Sequence, residues 1–253
     1  MTLALNIPAR VESPLSHMDA RWKLACIFPA ALLAACLHGW LTVSAALTGA
    51  LLLTLVARLP IRWCLSRVAG TALFLLFFVI WLPLFPMHGE ETFNLFGLAL
   101  SPSGAERAGV ILGKGVTIVT LLLVLLATSP LPELLKAAHS LRVPGLVVHL
   151  ALLTFRYIFL LGDEFIRLRT ALRVRGFRNR VKFHSYRTAA HAAGTLLVRG
   201  HERAERVAHA MRCRGFDGVF RSLAEFRTRP WDVIGFVSIM TTAAAILIVD
   251  IIN

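Results

Sequence analysis

The chain has 253 residues, 57% of them hydrophobic, and a formal net charge of +13. A soluble domain is about 45–50% apolar, and here the excess sits in blocks approaching the roughly 20 apolar residues that cross a bilayer, which excludes an ordinary soluble domain. The charge does not point to nucleic acid: residues 163–229 hold 16 of the 27 Lys and Arg against 6 acids, and a basic block beside apolar spans follows the positive-inside rule, with anionic lipid headgroups as a natural neighbour.

In chain order, residues 1–21 lack an apolar core beside a cleavage site and read as a short cytoplasmic leader. The first apolar block, 24–37, ends at His38-Gly39. The second, 40–57, is followed by Arg58, Arg62 and Arg67, with Pro60 breaking the helix. The third, 68–85, ends at Pro83 and Pro86. Residues 87–107 form a polar loop with Glu90, Glu91 and Glu106 against Arg107. The fourth block, 110–127, closes at Ser129-Pro130-Leu131-Pro132, and the last is 233–252.

Residues 146–161 are also apolar but contain His149 and Arg156. An Arg at the centre of a lipid-facing helix costs roughly 2.5–3.5 kcal/mol. A lone crossing there would also carry the basic segment to the wrong side of the membrane. Five spans are therefore expected, with 146–161 buried among protein at the cytoplasmic side or re-entrant. The expected fold is an all-α polytopic membrane protein: helices 1 to 4 in 1–140, a cytoplasmic helical arm in 141–230, and a last transmembrane helix in 231–253. Within the arm, 155–175 and 185–214 have helical spacing, and Ala189, Ala193, Leu196 and Leu197 supply an apolar face. Glu202 and Arg206 form a favourable i,i+4 pair, whereas Gly194 and Gly200 argue against one unbroken helix.

The arm carries a repeat. Residues 171–177 read Ala171-Leu-Arg173-Val-Arg175-Gly176-Phe177, and residues 210–216 read Ala210-Met-Arg212-Cys-Arg214-Gly215-Phe216. Both copies end an expected helix. Gly suits the left-handed position just past a helix C-terminus, and Arg in the last turn complements the helix dipole; two ordinary helix stops would need no more than this. Ala and the second Arg are also four residues apart and share a face. A small residue behind a guanidinium lets another helix approach while the Arg makes a planar contact with an acid. Two such ends would suit a partner with two equivalent acidic grooves.

These paired ends, on a basic arm between the fourth and last spans, resemble the T component of energy-coupling factor (ECF) transporters, closest to the CbiQ-type subunit of cobalt and nickel importers. Arg214-Gly-Phe-Asp217 looks like that subgroup, as do Pro144–Glu164 and Leu15-Ser-His-Met-Asp19-Ala-Arg21-Trp-Lys23-Leu24. The last is similar to the family's Leu-Asp-Pro-Arg-x-Lys-Leu, with Ala20 in place of the Pro. The resemblance covers nearly the whole chain. It implies a non-catalytic subunit whose coupling helices, 141–230, dock two ABC-type ATPases while its membrane part holds a substrate-binding S component. It implies ATPase contacts at Ala171, Arg173, Arg175 and Gly176 and at Ala210, Arg212, Arg214 and Gly215, and cobalt as the cargo, with nickel or a vitamin as alternatives.

Catalytic motifs are missing. There is no phosphate-binding G-x-x-x-x-G-K-[ST] loop, no H-E-x-x-H and no G-x-S-x-G. A lipid-modifying membrane enzyme would need convergent acids or histidines near the interface, and the sequence offers none. His184 with His191, and His201 with His209, can share a helix face, but without a carboxylate cluster they read as solvated or packed. His88, Glu90 and Glu91 are a weak cation-attracting group. Four cysteines without C-x-x-C spacing indicate neither a disulfide framework nor a zinc site. No cofactor is implied.

Overall fold

A computed structural model describes residues 13, 15, 18–79, 93–95, 98–100, 102–178, 180, 182–218, 228 and 230–252. It is an all-α polytopic membrane protein whose helices are α1 (Ala20–Cys36), α2 (Trp40–Val56), α3 (Ile61–Val79), α4 (Pro102–Thr128), α5 (Leu131–Ser140), α6 (Gly145–Val174), α7 (Phe183–Cys213) and α8 (Pro230–Ile252). The expected polar loop at 87–107 is corrected in two respects. It contains a small antiparallel ladder, β1 (Phe93–Leu95) with β2 (Leu98–Leu100), in register Phe93↔Leu100. Its end already belongs to α4, because Pro102 is tolerated in a helix's first turn, where its missing N–H has no partner to lose.

The chain divides into two compact units, one of α1–α5 and α8, the other of α6 and α7. In the first, the five long helices are those expected to span. Their directions follow from named contacts. Lys23, near the start of α1, reaches the end of α4 at Thr128 and Ser129, so α1 and α4 are antiparallel. Trp22 meets Phe236 edge-on at 5.2 Å between ring centroids, and Asp250 at the end of α8 binds the α1–α2 turn, so α1 and α8 are parallel. A Cβ on Gly113 of α4 would lie 2.5 Å from Val43 of α2, and one on Gly115 would meet Leu75 of α3. Small residues here let helix backbones approach, the usual device of membrane bundles. The buried centre is Cys26, Ile27, Ala31, Ala50, Leu121, Val124 and Leu125.

The turn between α1 and α2 is closed from the far end of the chain. The Asp250 carboxylate accepts from the His38 N–H at 2.8 Å, the Gly39 N–H at 2.7 Å and the Thr42 hydroxyl. Asp250 thereby acts as the N-cap that α2 lacks in its own Gly39.

Three described helices are long and apolar enough to cross a membrane by length and composition: Glu106–Thr128, Gly145–Val174 and Pro230–Ile252; Trp40–Val56 is apolar but shorter. Composition thus favours α6 as a span, while the bundle's geometry argues against a lone crossing there. The chain leaves α4 and re-enters α8 at the same end of the bundle, so the stretch between them makes no net crossing. A crossing by α6 would need a return by α7, which carries four Arg and two Glu between Arg199 and Arg212 alone. In residues 146–161, Leu146, Val147 and Leu150 are more than half exposed within this chain, and of α6 only Val148 is buried. The helix runs 30 residues without a break. The long helical stretch expected at 185–214 is α7, which is continuous through Gly194 and Gly200.

In the second unit, α6 and α7 form an antiparallel pair. Arg199 pairs with Glu164, and Leu161 packs beside Gly200. On either side of this crossing lies an apolar cleft of about 500 Å³, one bordered by Leu153, Tyr157, Ala204 and Val207, the other by Leu168, Leu172, Ala189 and Leu196.

Candidate functional site

The two repeat copies build the same local structure. At the end of α6, the Gly176 N–H donates to the Arg173 carbonyl at 3.0 Å and the Phe177 N–H to the Leu172 carbonyl at 3.0 Å. At the end of α7, the Gly215 N–H donates to the Arg212 carbonyl at 3.0 Å and the Phe216 N–H to the Met211 carbonyl at 3.1 Å. Gly176 and Gly215 both sit at φ +78°. This pair of reversed hydrogen bonds around a left-handed glycine is the Schellman motif. Its positions account for the repeat: Arg175 and Arg214 are the caps, the glycines make the left-handed step, and each Phe follows it. The motif favours an apolar residue both there and at the position five before it, which explains why Leu172 and Met211, outside the fixed letters, are both apolar.

The phenylalanines tie each end to the other helix. Phe177 borders the cleft with Ala189 and Leu196 of α7. Phe216 stacks on His149 of α6, 5.5 Å between centroids and 25° from parallel. Sequence reasoning gave these rings no role, although an apolar side chain five residues before each Phe was there to be read.

The structure separates the motif's two arginines. Arg173 borders the α6–α7 cleft, and Arg212 bonds to His209 Nδ1 at 3.2 Å. Arg175 lies instead with Ala171 on a surface concavity completed by Ile166, Arg167, Thr170 and Val174. Ala171, Arg175, Ala210 and Arg214 are all exposed. At the end of α6 a cation therefore stands at the rim of an apolar, small-residue patch, which suits a partner that brings an apolar surface and an acid.

Among the described residues, no three His, Cys, Asp or Glu side chains converge as a metal site would require. The weak cation group His88, Glu90 and Glu91 lies outside the described residues. The histidine pairs of α7 are exposed along the helix, with His201 3.6 Å from Glu205.

Fold and site together define a polytopic helical membrane protein with a basic arm that ends twice in the same exposed cap. Residues 11–225 match the CbiQ cobalt transport protein family, and the chain belongs to that family. It is 32% identical over 155 residues to the cobalt transport protein CbiQ of Rhodobacter capsulatus, covering 60% of this chain and 61% of that one. It is 32% identical over 145 residues to the cobalt transport protein CbiQ of Salmonella typhimurium, covering 54% and 63%. An uncharacterized protein of Methanocaldococcus jannaschii is 27% identical over 156 residues, covering 61% and 58%. The matches thus span about three fifths of the curated relatives' length.

Proposed function

We propose that this chain is the transmembrane coupling subunit of an ECF-type importer in the cell's inner membrane. Its arm lies in the cytoplasm and docks two ABC-type ATPases, one at Ala171, Arg175 and Gly176 and the other at Ala210, Arg214 and Gly215. The membrane bundle meets a substrate-binding S component, and the cargo is cobalt; nickel or a vitamin would be carried by the same device with a different S component. The chain itself performs no catalysis.

The observation that carries this reading is the duplicated helix end. Two Schellman caps, each leaving an Ala and an Arg exposed, offer one recognition element twice. Arg173 and Arg212 support it from behind, Arg173 beside the cleft and Arg212 on His209. The cobalt assignment draws on the family and on the names of the relatives.

The test is co-purification in detergent with candidate ATPases. Arg175→Glu and Arg214→Glu should each weaken recovery, because an acid left without its buried partner costs about 2–5 kcal/mol. The double variant should lose both ATPases and abolish uptake while inserting normally into the membrane. Equal recovery of ATPases by wild type and double variant would sink the reading. ⁵⁷Co accumulation against competing nickel then separates the two metals.

A further inference from the structure

The start of α1 grips the α4–α5 junction and the start of α8, the bundle helices that flank the arm. Lys23 is only 2% exposed, although its side chain is ionisable. Its Nζ donates to the Thr128 carbonyl at 3.3 Å and to Ser129 Oγ at 3.0 Å. These groups form the C-terminus of α4, where carbonyls without helical partners carry partial negative charge. This junction leads into α5, the last bundle helix before the arm. One residue earlier, Trp22 packs edge-on against Phe236. The Met18 thioether sits 3.4 Å from the place of a Cβ on Gly235. Both contacts lie in the first two turns of α8, where the chain returns. Ionisable groups buried in a membrane bundle are costly and tend to serve function, and a plain cytoplasmic charge would not need to be enclosed.

We infer that residues 18–23 form a clamp joining the α4–α5 junction to the start of α8, the bundle helices on either side of the arm, and that Lys23 and Trp22 are positioning residues through which displacement of the arm reaches the membrane helices. The geometry of the clamp stands by itself, whereas its consequence for transport rests on the coupling role proposed above. A lysine suits the task because its flexible stem reaches the end of another helix and delivers three donors. Methionine has a similar length but no donor.

The clamp is tested by alkylation of Thr128→Cys with N-ethylmaleimide in isolated membranes, with Cys26, Cys36, Cys64 and Cys213 replaced by Ala. Thr128 is 5% exposed, and its carbonyl remains available to Lys23 after the substitution. Adding Lys23→Met should speed labelling about tenfold, as expected for losing hydrogen bonds to a buried charge. An unchanged rate overturns the clamp, whatever the protein transports. Transmission is tested on the complete complex in proteoliposomes by measuring ATP hydrolysis and cobalt uptake together. Lys23→Met and Trp22→Ala should keep the ATPases bound and hydrolysing while uptake per ATP falls about tenfold. Unchanged uptake per ATP in both variants overturns the transmission role. If the ATPases fail to bind even the wild-type chain, the coupling proposal fails, and the labelling result still decides the clamp.

Discussion

The bundle and the arm use their helices to opposite ends. In the bundle, Cys26, Ile27 and Val124 are fully enclosed, and the polar groups Lys23 and Asp250 are answered by backbone from distant helices. On the arm, Val148 and Ser185 are the buried residues of α6 and α7, while Val174 is 84% exposed and Leu197 77%. The bundle's arrangement is set by contacts inside the chain. The arm's helices are defined by their own caps and one crossing, and much of their apolar surface has no partner among the described residues. Apolar surface of that extent marks an interaction site.

Four substitutions would break or sharpen this contrast. The largest effect is expected for Gly113→Leu, whose Cβ meets the stiff, buried Val43; overpacking there should cost about 3 kcal/mol, read as a lower midpoint of thermal unfolding in detergent. Asp250→Ala leaves the His38 and Gly39 N–H groups without their acceptor, while the Thr42 hydroxyl keeps the Gly39 carbonyl. It should cost about 2 kcal/mol, with hydrogen exchange accelerated at the start of α2. Gly215→Ala places a Cβ at φ +78°, where nothing else lies within 4 Å. The left-handed penalty alone, about 1 kcal/mol, should fray the last turn of α7 and leave the bundle's unfolding midpoint in place. Gly194→Ala meets open space in a continuous helix and should raise the arm's stability by about 0.5–1 kcal/mol, seen as slower exchange of α7 amides. If the Gly113 and Gly194 substitutions shift stability alike, the two regions are not packed differently after all.

The sequence revealed the bundle better than its details. Apolar blocks located the long helices of the bundle, but Pro132 was read only as a stop. The same residue sits in the first turn of α5, where proline is tolerated, so a ten-residue helix was missed. Lys23 was legible only as one letter of the Leu15–Leu24 stretch, and nothing in the local sequence reports that it reaches Ser129, more than a hundred residues away. Asp250 was invisible for the same reason. For the site, the repeat and its glycines were readable because a Schellman motif is local. Which face each arginine takes was not readable, since Arg173 is turned toward the cleft only by the position of α7. An apolar run such as 146–161 implies burial somewhere, without saying in what.

The 39-residue offset of the repeat has a further meaning. Fourteen residues separate Leu161 from Arg175, and fourteen separate Gly200 from Arg214. Leu161 and Gly200 are the pair that touch where α6 and α7 cross. Because the helices run antiparallel, an approximate dyad through that contact exchanges one capped end for the other, each about 21 Å from the axis at 1.5 Å per residue. A single chain thus carries two like capped ends related to each other as the halves of a two-fold dimer are.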